Sequence, residues 1–279
     1  MKKNNGFPRP DPGGTADIQR TFNEMSLVDD VFFRAVMRDN PRAAEAIVRV
    51  ALDMPDVEIE SVETQKDIVF NDRKKGVRLD LKAKRPDGTL FDIEVQKGIE
   101  GDLARRGRYY LSSMTVDALG RGEGYRELPD AYVLFICDQD PFGRGRPVYS
   151  FPRRDVDGSI LEDGGYIVFF NCSYKGKDAY GRLASDLTIP DYDRIADPVL
   201  MDTVKSGKIG ARRNDVMTEL TEKLYNLAEA RGREAGEKAA REAAVIAMLK
   251  DGRNSPEAIS EILGIPLEDV LALKEREGI

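Results

Sequence analysis

The chain predicts an α/β protein, a mixed sheet flanked by helices with a helical C-terminal extension. Three observations carry that expectation. Residues 77–96, VRLDLKAKRPDGTLFDIEVQ, alternate apolar and polar positions on both sides of Pro86-Asp87-Gly88, the pattern of two antiparallel strands joined by a tight turn. Residues 131–137, AYVLFIC, are apolar throughout, as in a strand covered on both faces. Beyond about Pro190 the apolar spacing becomes helical.

The hairpin organises the rest. Val77, Leu79, Leu81 and Ala83 share one face of its first strand; Phe91, Ile93 and Val95 share one face of its second. The opposite faces hold Arg78, Asp80, Lys82 and Lys84, then Asp92, Glu94 and Gln96. Pro86 suits the first turn position and Gly88 the left-handed one. A loop centred on Asp87 sets Asp80 opposite Glu94. Carboxylates facing each other across a ladder repel unless something positive lies between them. A divalent metal is one answer. The other is a solvated, charge-balanced hairpin in which Lys82 faces Asp92 and Arg78 faces Gln96. Alternation alone leaves both open.

Composition narrows the chemistry. A chain of 279 residues, 41% hydrophobic and 33% charged, can bury one sizeable core and carry a smaller appendage. No apolar run approaches the ~20 residues that span a bilayer. The start, MKKNNGFPRPDPGG, has basic residues with no apolar stretch behind them, so no secretory signal is expected. Cys137 and Cys172 lie in apolar runs and read as buried thiols, which points to a cytoplasmic protein. Histidine is absent, which excludes Ser-His, Cys-His and His-metal chemistry within this chain. Carboxylates, amides, Lys, Tyr and Ser remain, and hard oxygen ligands suit Mg²⁺ or Mn²⁺. A net charge of −7 argues against a broad nucleic-acid platform but leaves room for a local basic cleft.

In chain order, residues 1–25 read as a disordered tail, 26–190 as the α/β core and 191–279 as the helical extension. DDVFFRAVM, from Asp29, predicts a helix stopped by Asn40-Pro41; PRAAEAIVRVAL predicts a second, with Glu45 off its apolar stripe and solvated. Strand character spans residues 57–70, followed by a loop over 71–76. After the hairpin, LARRGRYYLSSMTVDAL predicts an amphipathic helix that puts Arg106 and Tyr110, four apart, on one face. Strands follow at 131–137, 147–151 and 166–172. The extension reads as an Ala-rich helix over 215–249, interrupted at Gly232 and Gly236, then a helix-turn-helix shape in SPEAISEILGIPLEDVLALK. The acids Glu268 and Asp269 on its second helix argue for packing or a homodimer over DNA-groove reading.

Asp80, the hairpin, Glu94-Val95-Gln96, the Arg106/Tyr110 helix and the GEGYRELPD segment together resemble the PD-(D/E)XK nuclease superfamily. More narrowly they resemble its recombination-promoting nuclease and putative transposase branch. The resemblance implies a restriction-endonuclease-like fold and a metal-dependent DNA endonuclease, with Mg²⁺ (or Mn²⁺) held by Asp80 and Glu94. It implies a third site residue in Gln96, where the superfamily pattern has lysine; an amide there orients a water or a phosphate but cannot act as a base. Lys97, next along, would point to the other face of a continuing strand. Lys82, Arg105, Arg106, Arg108 and Tyr110 are candidates to meet substrate phosphates. The alternative is a catalytically silent DNA- or protein-binding module that keeps the fold.

Overall fold

In a computed structural model of the chain, which describes residues 15–69 and 76–279, the hairpin forms as its sequence dictates. Gly88 adopts φ 94°, and its N–H donates to the Arg85 carbonyl at 3.0 Å. The turn joins β2 (Val77–Lys84) to β3 (Leu90–Gln96), and Lys82 stands opposite Asp92 and Lys84 opposite Leu90. β1 (Ser61–Ile68) pairs antiparallel with β2 on its other side. On the far side of β3 come β4 (Ala131–Cys137) and β6 (Gly165–Asn171), both parallel to it, and the short edge strand β5 (Val148–Ser150). The sheet order is β1-β2-β3-β4-β6-β5, a six-stranded mixed sheet of the α/β, restriction-endonuclease-like kind. β4 is apolar on both faces because both are covered, with Val133 through Ile136 wholly buried.

Helix α4 (Leu103–Ala118) lies against β4 and β6 through Leu111, Met114 and Gly107. Gly107 allows close approach: a Cβ there would meet Ile167 Cγ2 at 2.8 Å and the Phe135 ring at 3.1 Å. Helices α2 (Asp30–Met37) and α3 (Pro41–Ala51) lie against the β1–β3 end, with α5 (Ala179–Thr188) and α6 (Pro198–Lys208) packed on them. Consecutive side chains at the end of β3 show that α4 and α2 flank opposite faces. Gln96 meets Arg106 of α4, while Lys97 ion-pairs with Asp29 at the N-terminus of α2.

Several expectations are corrected. Residues 1–14 lie outside the described residues, as do 70–75, which hold most of the loop expected at 71–76. Thr15–Glu24, placed in the tail, is helix α1. Phe22 is buried, and the buried ammonium of Lys208 donates to the Phe22 and Asn23 carbonyls at 2.8 and 3.0 Å, closing the C-terminal end of α1. The extension does not separate at residue 190. α6 buries Leu200 and Val204, and Asn40 Nδ2 donates to Thr203 at 3.1 Å; the compact unit runs from Thr15 to Leu220. Helix α7 (Arg213–Asp251) continues through both glycine positions without interruption.

In the C-terminal unit, containing Thr221–Ile279, the end of α7 packs with α8 (Pro256–Leu263) and α9 (Leu267–Glu277) around Val245, Ile259 and Val270. Ser255 caps α8 and Gly264, at φ 62°, ends it. No helix among the described residues is long and apolar enough to cross a membrane.

Candidate active site

The two hairpin strands part where the acids sit. The β2–β3 ladder runs from Lys84–Leu90 to Leu81–Ile93. At the next position side chains replace it: the Asp80 N–H donates to Glu94 Oε1 at 2.8 Å, and the Val95 N–H to Asp80 Oδ2 at 3.3 Å. On the other side of β2 the register also skips Asp80, because Gln65 of β1 turns to φ 56° between the paired Thr64 and Lys66. A left-handed non-glycine residue inside a strand is strained, and here it lies beside an acid that the sheet has released. Asp80 and Glu94 therefore occupy a fork in the sheet.

Their surroundings are poor in water. Glu94 is 4% exposed, Gln96 3% and Asp92 0%. The solvated-hairpin reading fails for β3, whose polar face is buried as deeply as its apolar one. The pairs that reading requires are not made either. Lys82 reaches across to Asp117 of α4 at 3.1 Å, and Arg78 pairs with Asp67 of β1 at 2.8 Å. Both oxygens of Asp92 are left without a hydrogen-bond donor.

Burial pushes all three carboxyls up. Asp92 rises well above the ordinary carboxyl range, first from burial and then from the neighbouring Glu94. Glu94 is pushed up to about 7 by burial and by Asp80. Asp80 is also raised by burial, though Arg34 of α2, 3.3 Å from its Oδ1, pulls the other way. Sequence reasoning missed both Arg34 and Asp92. The period-two alternation had put Asp92 on the face of Glu94 and Gln96, but cross-strand pairing with Lys82 had accounted for its charge.

Gln96 has protein partners at both ends of its amide. Its Oε1 accepts from Arg106 Nη2 at 2.5 Å, and its Nε2 donates to the Lys97 and Gly98 carbonyls at 2.9 and 3.4 Å. Arg is donor-only and carbonyls are acceptor-only, so the amide has one orientation. The amide oxygen is thereby directed at Arg106. Its partner Arg106 is also held by Glu100 at 2.9 Å and lies over the Phe135 ring. Tyr110, one turn on, packs beside Phe135, and burial and the acids keep its hydroxyl protonated up to about 12. Arg105 and Arg108 point outward, exposed. Lys82, in its ion pair, is the phosphate candidate least available. Glu45, expected in solvent, is half-buried and accepts the Ile59 N–H at 2.9 Å, fixing the approach to β1.

Among the described residues no group of three or more Asp, Glu, Cys or His side chains stands at metal-holding spacing. What the fork offers is a pair. Asp80 and Glu94 are hard oxygen donors, tethered to each other's strand, in buried surroundings whose excess negative charge is relieved by protons or a cation.

Residues 46–146, which contain the fork, β3, α4 and β4, match the family model for the PD-(D/E)XK nuclease family transposase. No curated protein and no solved structure matches the chain.

Proposed function

We propose that the chain, whose residues 46–146 match the PD-(D/E)XK nuclease family transposase model, is a metal-dependent DNA endonuclease. The observation that carries the reading is the sheet fork. Two carboxylates are brought together there by their own backbone tethers, and burial drives both towards accepting positive charge.

Asp80 and Glu94 would hold Mg²⁺ or Mn²⁺. Bound there, such an ion supplies Lewis-acid stabilisation of phosphate oxygens and acidifies a water. The chain's own residues provide the rest. Gln96 acts as a positioning residue, and with Glu100 it fixes the Arg106 guanidinium beside the fork. Arg106, with the exposed Arg105 and Arg108, meets substrate phosphates. The Tyr110 hydroxyl stays protonated and serves as a neutral donor. Arg34 holds Asp80 and restrains it towards the ionised form.

Plasmid nicking with Mg²⁺ tests this. Alanine at either acid would also remove an acceptor for a fork N–H, so Asp80→Asn and Glu94→Gln are the sharper variants. We expect both to fold, with melting temperatures equal to or above wild type, and to lose nicking. A variant that nicks at the wild-type rate removes that residue from the site.

Ile262, Leu267 and Leu271 stay exposed on the C-terminal unit, which supports a homodimer formed through these helices. Light scattering of the full-length protein decides it, and a monomeric mass rejects it.

A further inference from the structure

Strands β3, β4 and β6 are parallel neighbours, so the loops after them, residues 97–102, 138–147 and 172–178, leave the sheet at one edge. Hydrogen bonds lace these loops together. The Gly98 N–H donates to Asp138 Oδ1 at 2.9 Å, Cys172 N–H to the Cys137 carbonyl at 2.9 Å, and Asn171 Nδ2 to the Arg146 carbonyl at 3.0 Å.

Charge is sorted along this edge. In the loops after β4 and β6 the acids serve the backbone: Asp140 accepts the N–H groups of Phe142, Gly143 and Gly145, and Asp178 accepts that of Gly181, while the loop after β3 carries Lys97 paired with Asp29, Glu100 paired with Arg106 and the exposed Asp102. The cations of the loops after β4 and β6 face out. Arg144, Arg146, Lys175 and Lys177 are exposed and make no ion pair among the described residues. The two arginines are also presented on a fixed backbone. Gly143 and Gly145 turn at φ 64° and 67°, and the Tyr149 hydroxyl accepts the N–H groups of both Arg144 and Arg146 at 3.2 Å while donating to Asp140 at 2.7 Å. Four like charges held outward repel one another, and a polyanion relieves that repulsion. Composition does not explain the sorting, because the chain as a whole is at −7. At the opposite edge, the loop before β4 alternates Arg121 and Arg126 with the exposed Glu123 and Glu127.

We propose that the edge carrying Arg144, Arg146, Lys175 and Lys177 docks the phosphate backbone of duplex DNA outside the cleft. It adjoins the fork through Gln96, whose carbonyl accepts the Asp138 N–H at 3.1 Å. The proposal rests on the nuclease reading for the identity of the polyanion. Phosphate contacts of this kind set register and affinity without reading sequence.

The test is fluorescence anisotropy of full-length protein with a duplex oligonucleotide in EDTA, across a salt series, beside plasmid nicking in Mg²⁺. The double variants Arg144→Ala/Arg146→Ala and Lys175→Ala/Lys177→Ala should each weaken binding roughly tenfold and flatten the log–log salt slope by about one to two, since each lost phosphate contact removes about 0.9. Arg121→Ala/Arg126→Ala should leave affinity and slope unchanged. Melting temperatures check that every variant is folded. If the wild type binds and nicks and both edge variants match it, the edge is overturned and the nuclease stands. If it binds through the edge but never nicks, the nuclease reading falls and the edge stands. A wild type that does not bind duplex DNA overturns the edge, and the nuclease reading then stands or falls on nicking alone.

Discussion

Asp92 is the residue whose environment is least matched to its charge: wholly buried, without a donor and beside Glu94. Its raised pKa, with those of Glu94 and Asp80, couples folding to pH. In the folded state these acids hold protons that the unfolded chain releases near pH 4. Their contribution is therefore full below the unfolded values and is lost as pH rises, for Glu94 up to about 7. Metal-free protein in a chelator should melt at a lower temperature at pH 8 than at pH 5. Asp92→Asn should reduce that difference and raise stability at pH 8, because the amide carries no charge to bury. A steeper pH dependence in the variant would contradict the assignment. Gln96 is tested through its partner. Gln96→Ala and Arg106→Ala should each lower turnover by roughly one to three orders of magnitude, the scale of one positioned donor. The double variant should be little worse than either single, because both remove one arrangement. Additive losses would mean that the two act independently.

At the scale of elements, the decisive contact is that of α4 on the sheet, since α4 delivers Arg106 and Tyr110 to the end of β3. Gly107 sets that distance. Gly107→Ala drives a methyl into Ile167 and Phe135, with an expected cost of about 1–3 kcal/mol for overpacking and a matching fall in nicking as Arg106 shifts from Gln96. Gly101→Ala, in open space before the same helix, is the control and should leave the melting temperature nearly unchanged. Equal melting of the two variants would show that α4 adjusts without strain.

For the whole molecule, the question is which part of the chain the fork needs. α6 closes over α2 and α3 with Leu200 and Val204 buried, and Lys208 ties down α1. A chain cut after Pro190 loses those contacts and should fail to melt cooperatively. A chain cut after Leu220 keeps the unit that holds the fork and should retain metal-dependent nicking. Circular dichroism melts and a plasmid gel distinguish the two; cooperative folding of the shorter chain would place the structural boundary where the composition changes.

What the sequence determined by itself is what local periodicity and turn chemistry control. Pro86-Asp87-Gly88 dictated the turn, alternation dictated the two strands and their register, and the 131–137 run announced a strand covered on both faces. The spacing of Asp80, Glu94 and Gln96 was legible for the same reason, since register follows from the turn. Only the tertiary structure decided what those polar groups face. Alternation distinguishes one side of a strand from the other, but it cannot tell a polar face in water from one sealed under a helix. α4, brought close by Gly107, buried Asp92, Glu94 and Gln96 and turned Gln96 towards Arg106. Arg34 reached Asp80 from 46 residues upstream, and Lys208 reached Phe22 from 186 residues downstream. Contacts of that range depend on how the layers close, which short-range pattern does not encode.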